Sequence, residues 1–327
     1  MPRVLSHSDK KMDRPAFLKD SSLWLAPMSG FTDSAFRAMA RGCGADVCVS
    51  EFAHSRAVLS GAAKVLERLK FEQCERPYGV QLFGSDPAEV ADAAAFVEER
   101  ISPDFVDINY GCPAPNAVCA GAGSALLKDP DRMARIASAA AAALKRIPLT
   151  AKMRTGWGAE TVLPRAAKML ENAGVAVLAI HGRSKVQGYS GGADWGIIEA
   201  TAEALSIPVI GNGSAELLEP ERLRSSACSG FMVGRAACGN PWVFSRMRAD
   251  MCGGAFQEPS ARDRVGAAAY YLDRASGGDD NFNIIGIRPN ITAFLRGFPG
   301  FKRARLALAG ARTAGEAGKI LKEVLAV

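Results

Sequence analysis

Lys152 and Arg154 stand two residues apart inside an apolar run, and His181 and Arg183 do the same inside another. In a β-strand that spacing puts both members of a pair on one face. A lysine between Ala151 and Met153 must meet an anion if it is buried, because an unpaired charge in apolar surroundings is costly. The other reading is a surface lysine with its head in water; we adopt a bound anion or cofactor. His181 alone reads as a core histidine and gains a binding role beside Arg183. Asn212-Gly213 and Gly234-Arg235 end two further runs, where glycine lets the backbone approach a ligand and N–H groups can take a phosphate. Gln81 reads either as part of an internal polar network or as a ligand contact. Cys112, in Gly111-Cys112-Pro113 after a run containing Asn109, also has two readings. It is a small apolar filler, or a thiol acting as acid or nucleophile near cations.

These residues need a scaffold that brings strand ends together. Apolar runs recur at residues 23–28, 47–52, 78–83, 105–111, 149–154, 177–183, 208–213 and 230–237. They are short and rich in Val, Ile and Phe, as buried parallel strands are. Helical stretches lie between them, at 86–99, 131–145 and 160–173. Asp86-Pro87 and Asp129-Pro130 supply a capping carboxylate and a proline at two helix starts. Eight strand–helix units in about 225 residues predict a (β/α)8 TIM barrel, whose active site lies at the C-terminal strand ends. An open dinucleotide-binding sheet is disfavoured, since the first run ends in Ala26-Pro27-Met28-Ser29-Gly30 and not in a G-x-G-x-x-G turn.

The alternation stops after 242–250, and glycines at 253 and 254 with Pro259 mark a linker. Helices are expected at 261–275, 288–295 and 313–325. The domains read as an N-terminal tail (1–20), a barrel (21–250) and a C-terminal all-α helical domain (258–327).

The chain has 327 residues, 48% hydrophobic and 23% charged, which excludes a disordered or low-complexity protein. No run approaches the roughly 18 apolar residues of a membrane span, and the polar, basic N-terminus lacks a signal peptide's apolar core. A cytoplasmic protein with reduced, mostly buried cysteines is expected. Eight cysteines form no C-x-x-C pair and three histidines show no zinc-like spacing, so no metal is expected. From Ile285 onward eight basic residues face two acidic ones, which accounts for the whole net charge of +6. Charge alone allows a polyanion held by this end or merely solvated helix faces.

The segments 26–33, 81–84, 107–113 (Asp107-Ile108-Asn109-Tyr110-Gly111-Cys112-Pro113) and 123–127 resemble the motifs of tRNA-dihydrouridine synthases. So do Lys152-Met153-Arg154-Thr155-Gly156-Trp157, His181-Gly182-Arg183, Asn212-Gly213 and Val233-Gly234-Arg235. The resemblance runs in order from about Leu23 to Phe244, with a fainter echo from Arg288 to Arg296. Gln187-Gly188-Tyr189 and Asp194-Trp195 look most like the bacterial C-type subgroup.

That resemblance implies an FMN-bearing barrel that uses NADPH to saturate the C5–C6 bond of a D-loop uridine in tRNA, as a monomer. Pro27, Met28 and Ser29 would border the isoalloxazine, and Gln81 and Lys152 would hydrogen-bond it. Asn212, Gly213, Ser214, Gly234 and Arg235 would hold the ribityl phosphate, with His181 in the same cofactor set. Hydride would pass from flavin N5 to C6, and Cys112 would protonate C5 as general acid. Asn109, Arg154, Arg183, Tyr189, Arg288 and Arg296 would face the RNA, whose target base must leave its stack. Three places depart from the family pattern: Val118-Cys119 replaces a usual asparagine, Ser214 an acidic residue, and 277–287 shows little likeness. Rival readings are an FMN barrel acting on a free pyrimidine, like dihydroorotate dehydrogenase, and a non-catalytic RNA-binding barrel.

Overall fold

The computed structural model describes residues 15–297 and 301–325. Residues 1–14 of the expected tail, and 298–300 and 326–327 of the expected helical domain, lie outside the described residues.

Each expected apolar run overlaps a strand: β1 (Ser22–Leu25), β2 (Val47–Val49), β4 (Tyr78–Phe83), β5 (Phe105–Tyr110), β6 (Leu149–Arg154), β7 (Val175–His181), β8 (Val209–Asn212) and β9 (Gly230–Val233). A two-residue strand, β3 (Ala53–His54), is added to the end of β4. All pairings between these strands are parallel, and β1–β9 and β2–β4 close the ring, giving an eight-stranded barrel.

Alternation along the strands sorts the barrel interior into two levels. Trp24, Val47, Val49, Phe105, Val177 and Ile210 form an apolar floor. Phe17 closes it from below, stacked on Phe105 at 4.8 Å and edge-on to Trp24 at 6.1 Å. Toward the C-terminal strand ends the interior turns polar, at Asp107 and Asn109 after Phe105, at His181 after Val177 and at Asn212 after Ile210. The register sets Asn109 beside Lys152, Arg154 beside His181, and His181 beside Asn212. Parallel pairing thus gathers the chemistry-bearing residues into two adjacent layers, Asn109 with Lys152 and, one step further, Arg154 with His181 and Asn212.

The helices pack on the outer face. Asp86 and Asp129 accept from the backbone N–H of Glu89 and Arg132, both at 2.9 Å, and start the helices Pro87–Arg100 and Pro130–Ala143. The helix expected from 160 begins only at Leu163, because Thr161 turns its hydroxyl back to the Thr155 carbonyl at 2.9 Å.

The C-terminal segment is helical, with Ala261–Ser276, Arg288–Ala293, Lys302–Gly310 and Ala314–Leu325. Its buried side chains, among them Val265, Tyr271, Phe294, Leu308 and Leu321, join the same cluster as the barrel's outer layer. Tyr271 Oη donates to Asp33 Oδ2 at 2.6 Å, and Asn290 Nδ2 donates to Tyr271 Oη at 2.8 Å and to the Phe31 carbonyl at 3.3 Å. The helix Lys302–Gly310 was not expected from the sequence: only Ala304 and Leu308 turn inward, too few to mark a face among its basic residues.

The cysteines are less buried than expected. Only Cys48 and Cys228 are buried, while Cys74, Cys119 and Cys252 are exposed. Among the described residues no helix is long and apolar enough to cross a membrane, and no group of three His, Cys, Asp or Glu could hold a metal ion.

Candidate active site

A cavity of about 710 Å³ opens over the C-terminal ends of the strands. Pro27, Met28, Ser29, Asn109, Cys112, Lys152, Arg154, His181, Arg183, Tyr189, Asn212, Gly213, Ser214, Gly234, Arg235 and Arg296 all line it. Gln81 and Arg288 do not. Among the described residues, five of the lining side chains are Lys or Arg, against the single carboxylate of Glu216, so the cavity favours anions.

Lys152 Nζ donates to Asn212 Oδ1 at 3.0 Å, and Asn212 Nδ2 donates to the Met232 carbonyl at 2.6 Å. The amide of Asn212 is therefore held with its oxygen toward the lysine. Burial, with Arg154 adding to it, pulls the Lys152 pKa down to about 8. His181 is pulled to about 2 by burial first and then by Lys152, Arg154, Arg183 and Arg235, so its imidazole is neutral. Arg183 Nη1 lies 3.2 Å from His181 Nε2. A guanidinium can only donate, so Nε2 accepts and the ring proton sits on Nδ1.

The two inner arginines serve the loops around them. Arg154 donates from Nε to the Gly111 carbonyl at 3.0 Å and from Nη1 to those of Ser184 and Gly188 at 3.0 and 2.9 Å. It ties the Cys112 loop to the loop carrying Tyr189. Arg183 donates from Nη2 to the Gly191 carbonyl at 2.8 Å and to Ser214 Oγ at 3.3 Å. Tyr189, 54% exposed, lies under the Arg235 guanidinium at 3.8 Å, a cation–π contact at the cavity rim. Further out, the Trp157 ring takes Lys128 Nζ at 3.8 Å and Lys185 Nζ at 4.3 Å.

Cys112 is half-buried. Burial raises its pKa, opposed by the Ala114 N–H, Arg154 and Lys152, so at neutral pH the thiol keeps its proton. Two contacts pin its loop. Asn109 Oδ1 accepts the Cys112 N–H at 2.7 Å, and the Cys112 carbonyl accepts from Ser124 N at 3.0 Å. The second needs Gly123 at φ +56°, where a Cβ would stand 2.8 Å from the Cys112 carbonyl oxygen.

Gln81 lies one layer down, fully buried. It bonds Asp107 and Asn109. Arg288 reaches the carbonyls of Ala309 and Ala311. The helix expected over 288–295 ends at Ala293, and of Arg288 and Arg296 only Arg296 reaches the cavity. Sequence reasoning overlooked Phe31, Phe52, Glu216 and Cys238 in the lining, and Asp107 beneath it. For Asp107 a signal existed: a carboxylate two residues before Asn109, on the same strand face.

A family model described as dihydrouridine synthase matches residues 24–323. The chain is 41% identical over 231 residues to a Rickettsia bellii (strain RML369-C) protein named "Probable tRNA-dihydrouridine synthase", covering 69% of this chain and 70% of that one. It is 38% identical over 240 residues to "tRNA-dihydrouridine synthase B" of Xanthomonas campestris pv. campestris, covering 72% of this chain and 71% of that one. The B in that name gives no support to the C-type likeness of 187–189 and 194–195. A solved morphinone reductase mutant superimposes with a TM-score of 0.50 at 14% identity over 73% of this chain and 88% of that one, a likeness of fold alone. The family match spans the barrel, every strand-end residue of the cavity and most of the C-terminal helices, and on that extent the chain belongs to the dihydrouridine synthase family.

Proposed function

We propose that this protein reduces uridine to 5,6-dihydrouridine in tRNA, at a D-loop position, with FMN as cofactor and NADPH as reductant, and that it acts as a cytoplasmic monomer. One observation carries the reading. A single cavity joins a buried ammonium whose hydrogen-bond partner is an amide, not a carboxylate, to a thiol that keeps its proton.

The donor set fits a flavin nucleotide. A cavity of about 710 Å³ suits a ligand of that size. Lys152 stands ready for an anionic ring, with Pro27, Met28, Ser29 and His181 beside it. Asn212, Gly213, Ser214, Gly234 and Arg235 offer amide, hydroxyl, backbone and guanidinium donors to a phosphate. FMN held by these residues and reduced by NADPH would supply the hydride that uracil C6 needs. Cys112 holds the balancing proton and delivers it to C5, so the C5–C6 double bond becomes single. Asn109 and Arg154 orient the flipped base, and Arg183 and Tyr189 face the RNA around it.

Residues 258–327 form the RNA-binding part in this proposal. Arg296 meets the RNA at the cavity mouth, and Arg288 supports that segment from behind. A free-pyrimidine substrate would have no use for a basic segment reaching the mouth, and a non-catalytic barrel none for Lys152 and Cys112. Purified protein with NADPH and unmodified tRNA transcript should form dihydrouridine, read by nucleoside mass spectrometry. Turnover of orotate or free uridine without turnover of tRNA would overturn the reading, as would failure to take up FMN.

A further inference from the structure

One layer below the cavity lies a carboxylate that the proposed reaction does not use. Asp107, 4% exposed, sits on β5 two residues before Asn109. Its Oδ1 accepts from Thr150 Oγ1 and its Oδ2 from Gln81 Nε2, both at 2.6 Å. Its direct partners are thus a hydroxyl and an amide. Burial pushes its pKa up to about 6, against the two hydrogen bonds and Lys152, so at neutral pH it remains ionised.

An ionised carboxylate only accepts. Gln81 must therefore turn its nitrogen to Asp107, and its Oε1 faces the other way, accepting from Asn109 Nδ2 at 2.7 Å. Asn109 is then left with its oxygen toward the chain leaving β5. That Oδ1 accepts the N–H groups of Gly111 at 2.9 Å and Cys112 at 2.7 Å. Either amide could reverse on its own. With an acceptor fixed at one end and two backbone donors at the other, any reversal sets donor against donor or acceptor against acceptor.

We propose that Asp107 is a positioning residue for Cys112: through Gln81 and Asn109 it fixes the backbone N–H groups of Gly111 and Cys112, and with them the place of the thiol. The proposal deepens the reading of Cys112 as proton donor and rests on it for the catalytic consequence; the hydrogen-bond chain itself does not. It also gives Gln81 a task within the protein, as the link that carries the orientation.

The test reads the thiol, not turnover. The full-length protein, free of RNA and FMN, is treated with iodoacetamide from pH 7 to 11, so that the scan runs past the raised Cys112 thiol. Carboxamidomethylation of Cys112 is followed by peptide mass spectrometry, with exposed Cys252 as internal standard. Asp107→Asn keeps the shape but lets position 107 donate or accept, so the acceptor end of the chain is no longer fixed and Asn109 is held by the two backbone donors alone. Gln81→Met breaks the chain without changing charge. Thr150→Val removes the other hydrogen bond to the same carboxylate and leaves the chain intact.

Asp107→Asn and Gln81→Met should raise the high-pH plateau of the Cys112-to-Cys252 rate ratio by about threefold or more, as the loop loses its hold. Thr150→Val should leave the ratio unchanged, although all three variants lower the denaturation midpoint. Three results would overturn the proposal: an unchanged plateau in Gln81→Met; a change in Asp107→Asn confined to the pH midpoint, the mark of a through-space charge effect; or an equal change in Thr150→Val. Gln81→Met decides the matter alone if Asp107→Asn does not fold. Because neither FMN nor RNA is present, failure of the functional reading would leave this result untouched.

Discussion

Lys152 Nζ meets Asn212 Oδ1 at 3.0 Å across β6 and β8, an ammonium held by a neutral amide at the base of a cavity. Such an arrangement weakens the folded protein until an anion arrives. Between pH 8 and about 10.4, the latter being the unperturbed lysine value, the unfolded chain binds more protons than the folded one. Stability therefore rises with pH through that window and is at its lower level below pH 8.

Lys152→Met should accordingly raise the guanidinium midpoint at pH 7 and remove the Lys152 share of the gain between pH 8 and 10. The same variant should weaken FMN binding about tenfold or more, since the only lysine that lines the cavity among the described residues is lost. Paired denaturation curves and a flavin titration measure both. A variant less stable at pH 7 with undiminished flavin affinity would refute the assignment.

Cys112→Ala should lower dihydrouridine formation about 10²–10⁴-fold, the usual contribution of a general acid. Flavin reduction by NADPH, followed by stopped-flow absorbance, should hardly change because it needs no thiol. Cys119 is the control: it is exposed on the short helix Pro115–Cys119, and Cys119→Ala should keep full turnover. The reverse pattern would move the acid to Cys119.

Arg296 and Arg288 should separate. Arg296→Ala should weaken tRNA binding and flatten its salt dependence by about 0.7–0.9 in the log–log slope, as for one lost phosphate contact. Arg288→Ala should instead lower the unfolding midpoint, by about 1–3 kcal/mol of stability, because the carbonyls of Ala309 and Ala311 lose a charged donor. Salt titrations of tRNA binding beside denaturation curves decide. Equal slopes in wild type and Arg296→Ala would return RNA recognition to the barrel rim at Tyr189 and Trp157.

Arg154→Lys keeps the charge but cannot span three carbonyls with one planar fork. The loops at 111–113 and 184–191 should exchange backbone hydrogen several-fold faster than in the wild type, as local opening becomes easier. Hydrogen-exchange mass spectrometry reads this directly. Unchanged protection in both loops would show that Arg154 does not hold them.

The barrel was legible because each strand is a short apolar run buried on both faces, and parallel closure brings all strand ends to one rim. Lys152, His181, Asn212 and Cys112 converge for that reason alone. What escaped reading depends on contacts far apart in sequence. Nothing near Gln81 says that its amide is spoken for by Asp107, and nothing near Arg288 says that carbonyls beyond residue 308 will take its guanidinium. The helix Lys302–Gly310 buries so little that its basic residues mask the periodicity. The apolar floor had a visible pattern in Trp24, Phe105 and Val177, but the seat of Phe17 beneath it did not.

Closure of the barrel also sets a delay during synthesis. Trp24 and Leu25 on β1 pair with Met232 and Val233, which leave the ribosome roughly 200 residues later. At about 5–20 residues per second, one side of β1 waits on the order of 10–40 seconds for its neighbour. An unpaired strand of Ser, Leu, Trp and Leu is an invitation to another nascent chain, and its four-residue length limits how firmly such an intruder can hold.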